Sequence, residues 1–368
     1  MLTSRERLGR LFNGEDIDRV PIWLLFPYFP SASYADIWEN SSYRPILQKV
    51  YDSTDIIERR HFDIGFCFNA HPDIRCESHQ SIEDENTVSE RRISYGNIEL
   101  RNSVTKGESG SFVEPFAKKI GDLEKLLAMP YRQAEPQVDW FFKEQEKFGQ
   151  RGLMAADLGD PLSVFHGLCS ETDFVLWCYE ETRKVMDFLD AISARTLSAY
   201  KFLLERGVAD IYWISGSEFA CPPMLPPAYF DRLVVRYTKP LVDLVRSYGK
   251  KTMIHCHGKI GTVLSGLAAI GTDSHHPLEG PPMGDCTLSQ VRQVLGERTI
   301  LAGNIQLGDL WSATETETED LVRRTIEEGK QGPFILSITG GPSAPQIDER
   351  VVKNYLKIIE TALDAGGY

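Results

Sequence analysis

Short apolar runs, rich in β-branched and aromatic residues, alternate with longer amphipathic stretches along most of the chain. The short runs fall at residues 20–26, 152–156, 210–214, 252–255, 272–275, 299–302 and 333–337, each bounded by polar or turn-forming residues. Their brevity and, in most of them, apolar character predict buried strands. Between them lie helical patterns at 220–247, interrupted by prolines, and at 259–270, 287–295 and 317–329. Residues 348–365 close the series, with Val351, Tyr355, Ile358, Ile359 and Leu363 spaced for one helical face.

Strand–helix alternation at this pace implies parallel strands joined by crossover helices. Seven or eight such units in one chain favour a closed (β/α)8 TIM barrel, an α/β fold, over an open sheet. Residues 73–119 break the pattern. They alternate with a period of two and carry turn signals at Tyr95-Gly-Asn97 and Lys106-Gly-Glu-Ser-Gly110. That stretch predicts a β-hairpin insertion on the barrel. The expected organisation is a single barrel domain over residues 1–368 with an N-terminal helical lead-in.

Charge narrows the partners. Lys and Arg total 40 against 53 Asp and Glu, a net charge of −13, which opposes binding to a phosphate backbone. The densest positive stretches, Glu58-Arg-Arg60 and Glu90-Arg-Arg92, read as solvated faces beside acids. No run reaches the length of a membrane span, and the N-terminus lacks an apolar signal core, so a cytoplasmic protein without a membrane partner is expected. The seven cysteines are scattered, odd in number and without a Cys-x-x-Cys pair, as reduced and mostly buried thiols would be. Fixed-period repeats and a Gly-rich phosphate loop are both absent from the sequence.

Barrel active sites lie at the C-terminal ends of the strands. The residues that follow the predicted strands are Pro27 and Tyr28, then Asp157, Gly159 and Asp160, then Ser215, Ser217 and Glu218. His255 and His257 come next, followed by His276 and Glu279, Asn304 and Gln306, and finally Thr339, Gly340 and Gly341. In Lys251-Thr-Met-Ile-His-Cys-His-Gly258, the two histidines stand two residues apart. On an extended backbone both imidazoles face one side and Cys256 the other, which makes half of a metal site. A kink at the strand end would instead turn His255 and Cys256 towards the pocket. Glu218 reads either as a further ligand or general base, or as a cap of the following turn. Asp157 reads as an orienting carboxylate or a loop cap. Asn304 and Gln306 are expected to orient a substrate through their amides, and Tyr28, with Phe29, to wall a flat pocket.

An ordered set of short motifs carries a resemblance. Ser4-Arg-Glu-Arg7, Asp18-Arg-Val-Pro21, Gly159-Asp-Pro161, Gly207-Val-Ala-Asp210, Leu225-Pro-Pro-Ala-Tyr-Phe230, His255-Cys-His-Gly258 and Gly303-Asn-Ile305 resemble the uroporphyrinogen decarboxylase superfamily over residues 4–363. The resemblance implies a (β/α)8 barrel. Porphyrinogen decarboxylases bear arginine on the first strand to neutralise substrate carboxylates, whereas residues 20–28 here contain none. Buried unpaired charge is prohibitively costly, so the resemblance runs instead to the corrinoid-linked zinc methyltransferase branch. That branch implies a metal held at His255, His257 and Glu279, with His257 in a position the family fills with cysteine. The later family cysteine would fall within Ile338-Thr-Gly-Gly-Pro342, where there is none.

Two imidazoles and one carboxylate would leave Zn2+ with a vacant fourth position, as catalytic zinc sites do, and they also match the donor set of non-haem iron. The leading expectation is a metal-dependent methyltransferase that moves a methyl group between a small molecule or folate and a corrinoid on a partner protein. The alternative is a metal-assisted lyase, decarboxylase or hydrolase acting on a small carboxylated or aromatic substrate, with Glu218 as base. A carrier or sensor barrel without chemistry is the third class.

Overall fold

A computed structural model describes residues 1–31, 34–107 and 110–368. Its strands, in chain order, are β1 (Ile22–Trp23), β2 (Ile56–His61), β3 (Arg75–Glu83), β4 (Asn86–Tyr95), β5 (Ile98–Gly107), β6 (Gly110–Glu114), β7 (Gly152–Asp157), β8 (Ile211–Ser215), β9 (Lys251–Cys256), β10 (Ser274–Pro277), β11 (Ile300–Ile305) and β12 (Phe334–Ile338). Eight of them form one parallel sheet in the order β1-β12-β11-β10-β9-β8-β7-β2, with helices packed outside. This is the expected (β/α)8 arrangement.

The two end strands, β1 and β2, meet through a seam that the apolar pattern does not reveal. Asp55 donates its N–H to the Ile22 carbonyl at 2.6 Å, and its carboxylate accepts from Ile22 N at 3.0 Å. One residue into β2 from the apolar pair Ile56–Ile57, Glu58 accepts from the N–H groups of Tyr28 (2.7 Å) and Phe29 (3.1 Å). The expectation of a solvated Glu58-Arg-Arg60 is therefore wrong. Glu58 is 1% exposed, and the two arginines are partly buried. Arg91 and Arg92 are exposed, as expected.

The lead-in helix Ser4–Asn13 begins at Thr3, whose side chain and Glu6 form a capping box, and ends at Gly14, which adopts the left-handed φ of 73° that favours glycine. It lies across the N-terminal ends of the strands. Arg5 grips Asp210, just ahead of β8, and Arg7 grips Asp55, just ahead of β2, at 2.7 Å. The motif residues Arg7 and Asp18 are thus structural. Their ion pair at 2.7 Å lies at the end of the barrel opposite the chemistry.

Residues 73–119 form more than a hairpin. β3 to β6 make a four-stranded antiparallel sheet in sequential order, turning at Gly96 as read from the sequence. The expected turn at 106–110 includes Glu108 and Ser109, which lie outside the described residues. Ile93 and Leu100, both buried, pack this sheet onto the barrel.

Several helix boundaries follow the caps. Thr287 precedes Leu288–Leu295, and Thr314 precedes Glu315–Gly329, which starts two residues earlier than the periodicity suggests because Glu317 closes a capping box instead of opening the helix. Asp348 caps Glu349–Ala365, and Val351, Tyr355, Ile358 and Ile359 are buried on one face as read, while Leu363 is exposed. Among the described residues no helix is long and apolar enough to cross a membrane.

Candidate functional site

Because the strands are parallel, their C-terminal ends share one rim of the barrel. β9 brings His255 there, and His257 follows immediately. Their rings stand 4.5 Å apart at 89°, so the two imidazoles face the same side. Cys256 is buried on the other side, its Sγ 3.6 Å from Cys221 Sγ, which rules out the kinked alternative.

His257 Nδ1 lies 3.2 Å from Glu279 Oε1, and Glu279 Oε2 accepts from Gly258 N at 2.6 Å. Burial alone would depress the His257 pKa, but the hydrogen bond and charge of Glu279 outweigh it and raise the pKa above its ordinary value. Burial acts against Glu279 too, yet the bonds from His257 and Gly258 hold it below the usual carboxylate range.

β10 starts two residues later than the predicted strand at 272–275, at Ser274, so that His276 lies within it and pairs in register with His255. The two rings lie edge to edge, 16° from coplanar, with Nδ1 facing Nδ1 at 2.9 Å. His276 Nε2 reaches past β11 to the Ile338 carbonyl at 3.0 Å. Burial pushes His276 down to about 3 and His255 well below its ordinary value, so both are neutral near pH 7. His275 faces away from this pair, bonding Thr272 at 2.8 Å.

Below the histidines lie Trp213 and Trp23, their centroids 4.8 Å from His255 and 5.1 Å from His276 respectively. Both indole N–H groups are buried without a partner among the described residues. Arg59 covers Trp213 at 4.4 Å, pairs with Asp157 and donates to the Tyr34 hydroxyl at 3.0 Å. Asp157 therefore belongs to an ion pair at the rim and is not the loop cap; that role falls to Asp160, which caps Pro161–His166.

The remaining expected residues are divided. Glu218 is partly buried in the turn after β8 and bonds the backbone N–H of Gly216 at 3.1 Å; burial raises its pKa. Asn304 donates to the Leu278 carbonyl at 3.0 Å and Gln306 to that of Gly280 at 3.4 Å. These amides clasp the backbone on either side of Glu279, so what they orient in this structure is the carboxylate loop. Tyr28 stands apart from the histidines, its ring packed on Phe29, Tyr51, Phe148 and Arg151.

Sequence reasoning missed His276 in a paired role, and it missed Arg59. An apolar run of only Ile56 and Ile57 hid β2. The available signal was the two-residue alternation that sends Glu58 and Arg59 to opposite faces of a strand.

A parallel β/α barrel with histidines, carboxylates and an arginine gathered on its C-terminal rim has the layout of barrel enzymes. The chain belongs to the uroporphyrinogen decarboxylase (URO-D) family, whose profile matches residues 106–361. Among solved structures, a methyltransferase from Methanosarcina mazei aligns with a TM-score of 0.64 and 16% identity over 99% of each chain. A B12-independent methionine synthase from Shewanella sp. W3-18-1, in complex with selenomethionine, aligns with a TM-score of 0.53 and 11% identity over 94% of this chain and 97% of the other. At these identities the likeness is one of fold. No curated protein matches the chain.

Proposed function

We propose that this protein is a metal-dependent methyltransferase of the corrinoid-linked type, which moves a methyl group between a small molecule or folate and a corrinoid carried by a partner protein. The observation that carries the reading is the contiguous His255, His257 and Glu279 cluster on the barrel rim. The methyltransferase and methionine synthase among the structural neighbours support it.

Among the described residues, no three His, Cys, Asp or Glu side chains converge closely enough to hold an ion as they stand. His257 and Glu279 pair with each other, while His255 turns its Nδ1 to His276. The donor types still suit Zn2+, because two neutral imidazoles and a carboxylate are a catalytic donor set. An ion held by His255, His257 and Glu279 would replace the proton that His257 and Glu279 share. Lewis-acid activation of a bound thiol or water is the chemistry such an ion supplies. Gly258 N–H, Asn304 and Gln306 hold Glu279 in place for that exchange. Trp213 and Arg59 wall the site, and Arg59 is already neutralised by Asp157, so it offers no spare charge to a polycarboxylate such as a porphyrinogen.

The raised pKa of Glu218 favours a second reading, a metal-assisted lyase, decarboxylase or hydrolase acting on a small carboxylated or aromatic substrate with Glu218 as the base. One experiment separates the two. Protein purified without added metal is expected to carry near-stoichiometric zinc, which the His257→Ala variant loses, and to transfer methyl groups to or from free cobalamin until His255→Ala abolishes it. Metal without any response to methylcobalamin would favour the lyase. Metal-free wild-type protein would overturn the site.

A further inference from the structure

A chain of three acceptors and donors runs along the rim from β9 through β10 to β12: His255, His276 and the Ile338 carbonyl. The carbonyl oxygen can only accept, so the hydrogen in the 3.0 Å contact sits on His276 Nε2. His276 is 1% exposed, and among the described residues no carboxylate is bonded to it to stabilise a second proton, so its Nδ1 carries a lone pair. The hydrogen between the two Nδ1 atoms at 2.9 Å must therefore come from His255. Among the described residues no carboxylate is bonded to His255 either, so its single hydrogen lies on Nδ1 and its lone pair on Nε2.

We infer that His276 is a positioning residue, which reads the Ile338 carbonyl and through it fixes His255 in the Nδ1–H tautomer with the Nε2 lone pair free. Backbone register makes the arrangement possible. His255 and His276 are direct partners across β9 and β10, and the rings meet edge to edge, 16° from coplanar with centroids 5.1 Å apart, which aims one Nδ1 at the other. Trp213 and Trp23 pack against the two rings and oppose a flip of either. A hydrogen bond from one ring nitrogen fixes the tautomer and orientation of the other, whichever acceptor supplies it. The use of that lone pair, as a metal donor or as a base, rests on the function proposed above; the tautomer does not.

The test is nuclear magnetic resonance of the full chain with isotope-labelled histidine, dialysed against a chelator and held near neutral pH. The His255 signals are assigned by their loss in His255→Gln. The expected result is a pyridine-type Nε2 and a pyrrole-type Nδ1 for His255, with the reverse for His276. In His276→Leu the His255 pattern should shift towards a mixture of tautomers, and in His276→Asn, whose side-chain oxygen takes the acceptor position, it should return. A pyrrole-type Nε2 on His255 in the wild type overturns the inference even if the variants fail to fold. An unchanged His255 pattern in folded His276→Leu overturns the positioning role. Absence of metal or of methyl transfer would sink the proposed function and leave this result standing.

Discussion

At the scale of single residues, the ionisable groups divide by the end of the barrel they occupy. At the rim, His257 and Glu279 each favour the other's charged form, beside two imidazoles that burial holds well below the ordinary histidine pKa. At the opposite end Arg7, 3% exposed, joins Asp18 and Asp55. The hydrogen bond from Arg7 holds Asp18 well below its ordinary value of 3.8. The unfolded chain therefore takes up a proton at a higher pH than the folded one does. The stability contributed by Asp18 is present above the ordinary value and is lost as pH falls through the folded value. Asp18→Asn is expected to lower the urea midpoint near neutrality and to converge on the wild type in acid. A gap of constant size across that range would disprove the linkage. The sequence placed Asp18 in a family motif, but the partner that shifts it, Arg7, lies across a helix turn and a loop and is identified only by the fold.

At the scale of elements, legibility followed apolar content. β7, β8, β9, β11 and β12 were readable because both faces of a parallel barrel strand are buried, which leaves continuous apolar runs. β2 was not, because after Ile57 its residues serve polar duties: Glu58 stitches the seam to β1, and Arg59 reaches the rim. The start of β10 was misplaced for a related reason. His275 and His276 look like a strand end, yet they sit inside the strand because each finds a buried partner. The β2–β7 pairing also depends on Gly152, whose missing Cβ leaves room for the Ile56 carbonyl oxygen directly beside it. Gly152→Ala drives a methyl group into that backbone atom, and backbone cannot rotate aside. The expected loss is roughly 1–3 kcal/mol or more, seen as a lower denaturant midpoint. Unchanged stability would mean that the two strands can slide apart without penalty.

At the scale of the whole molecule, the net charge of −13 opposes polyanions, and two of the four arginines that drew attention in the sequence are spent on internal ion pairs, Arg59 with Asp157 and Arg60 with Glu144. The protein is expected to leave duplex DNA unshifted in a gel assay at moderate salt; binding that weakens steeply with added salt would contradict this. What the sequence determined by itself was the class of fold and the neighbourhood of the chemistry. Strand–helix alternation is written in local hydrophobic period, and two histidines on an extended backbone share a side whatever surrounds them. Tertiary structure alone decided which distant residues meet. It set His276 against His255, turned Asn304 and Gln306 onto the Glu279 loop, carried Tyr28 away from the histidines and brought Arg59 in. Those outcomes depend on strand register and barrel closure, in which residues dozens of positions apart become neighbours, and no local pattern encodes that distance.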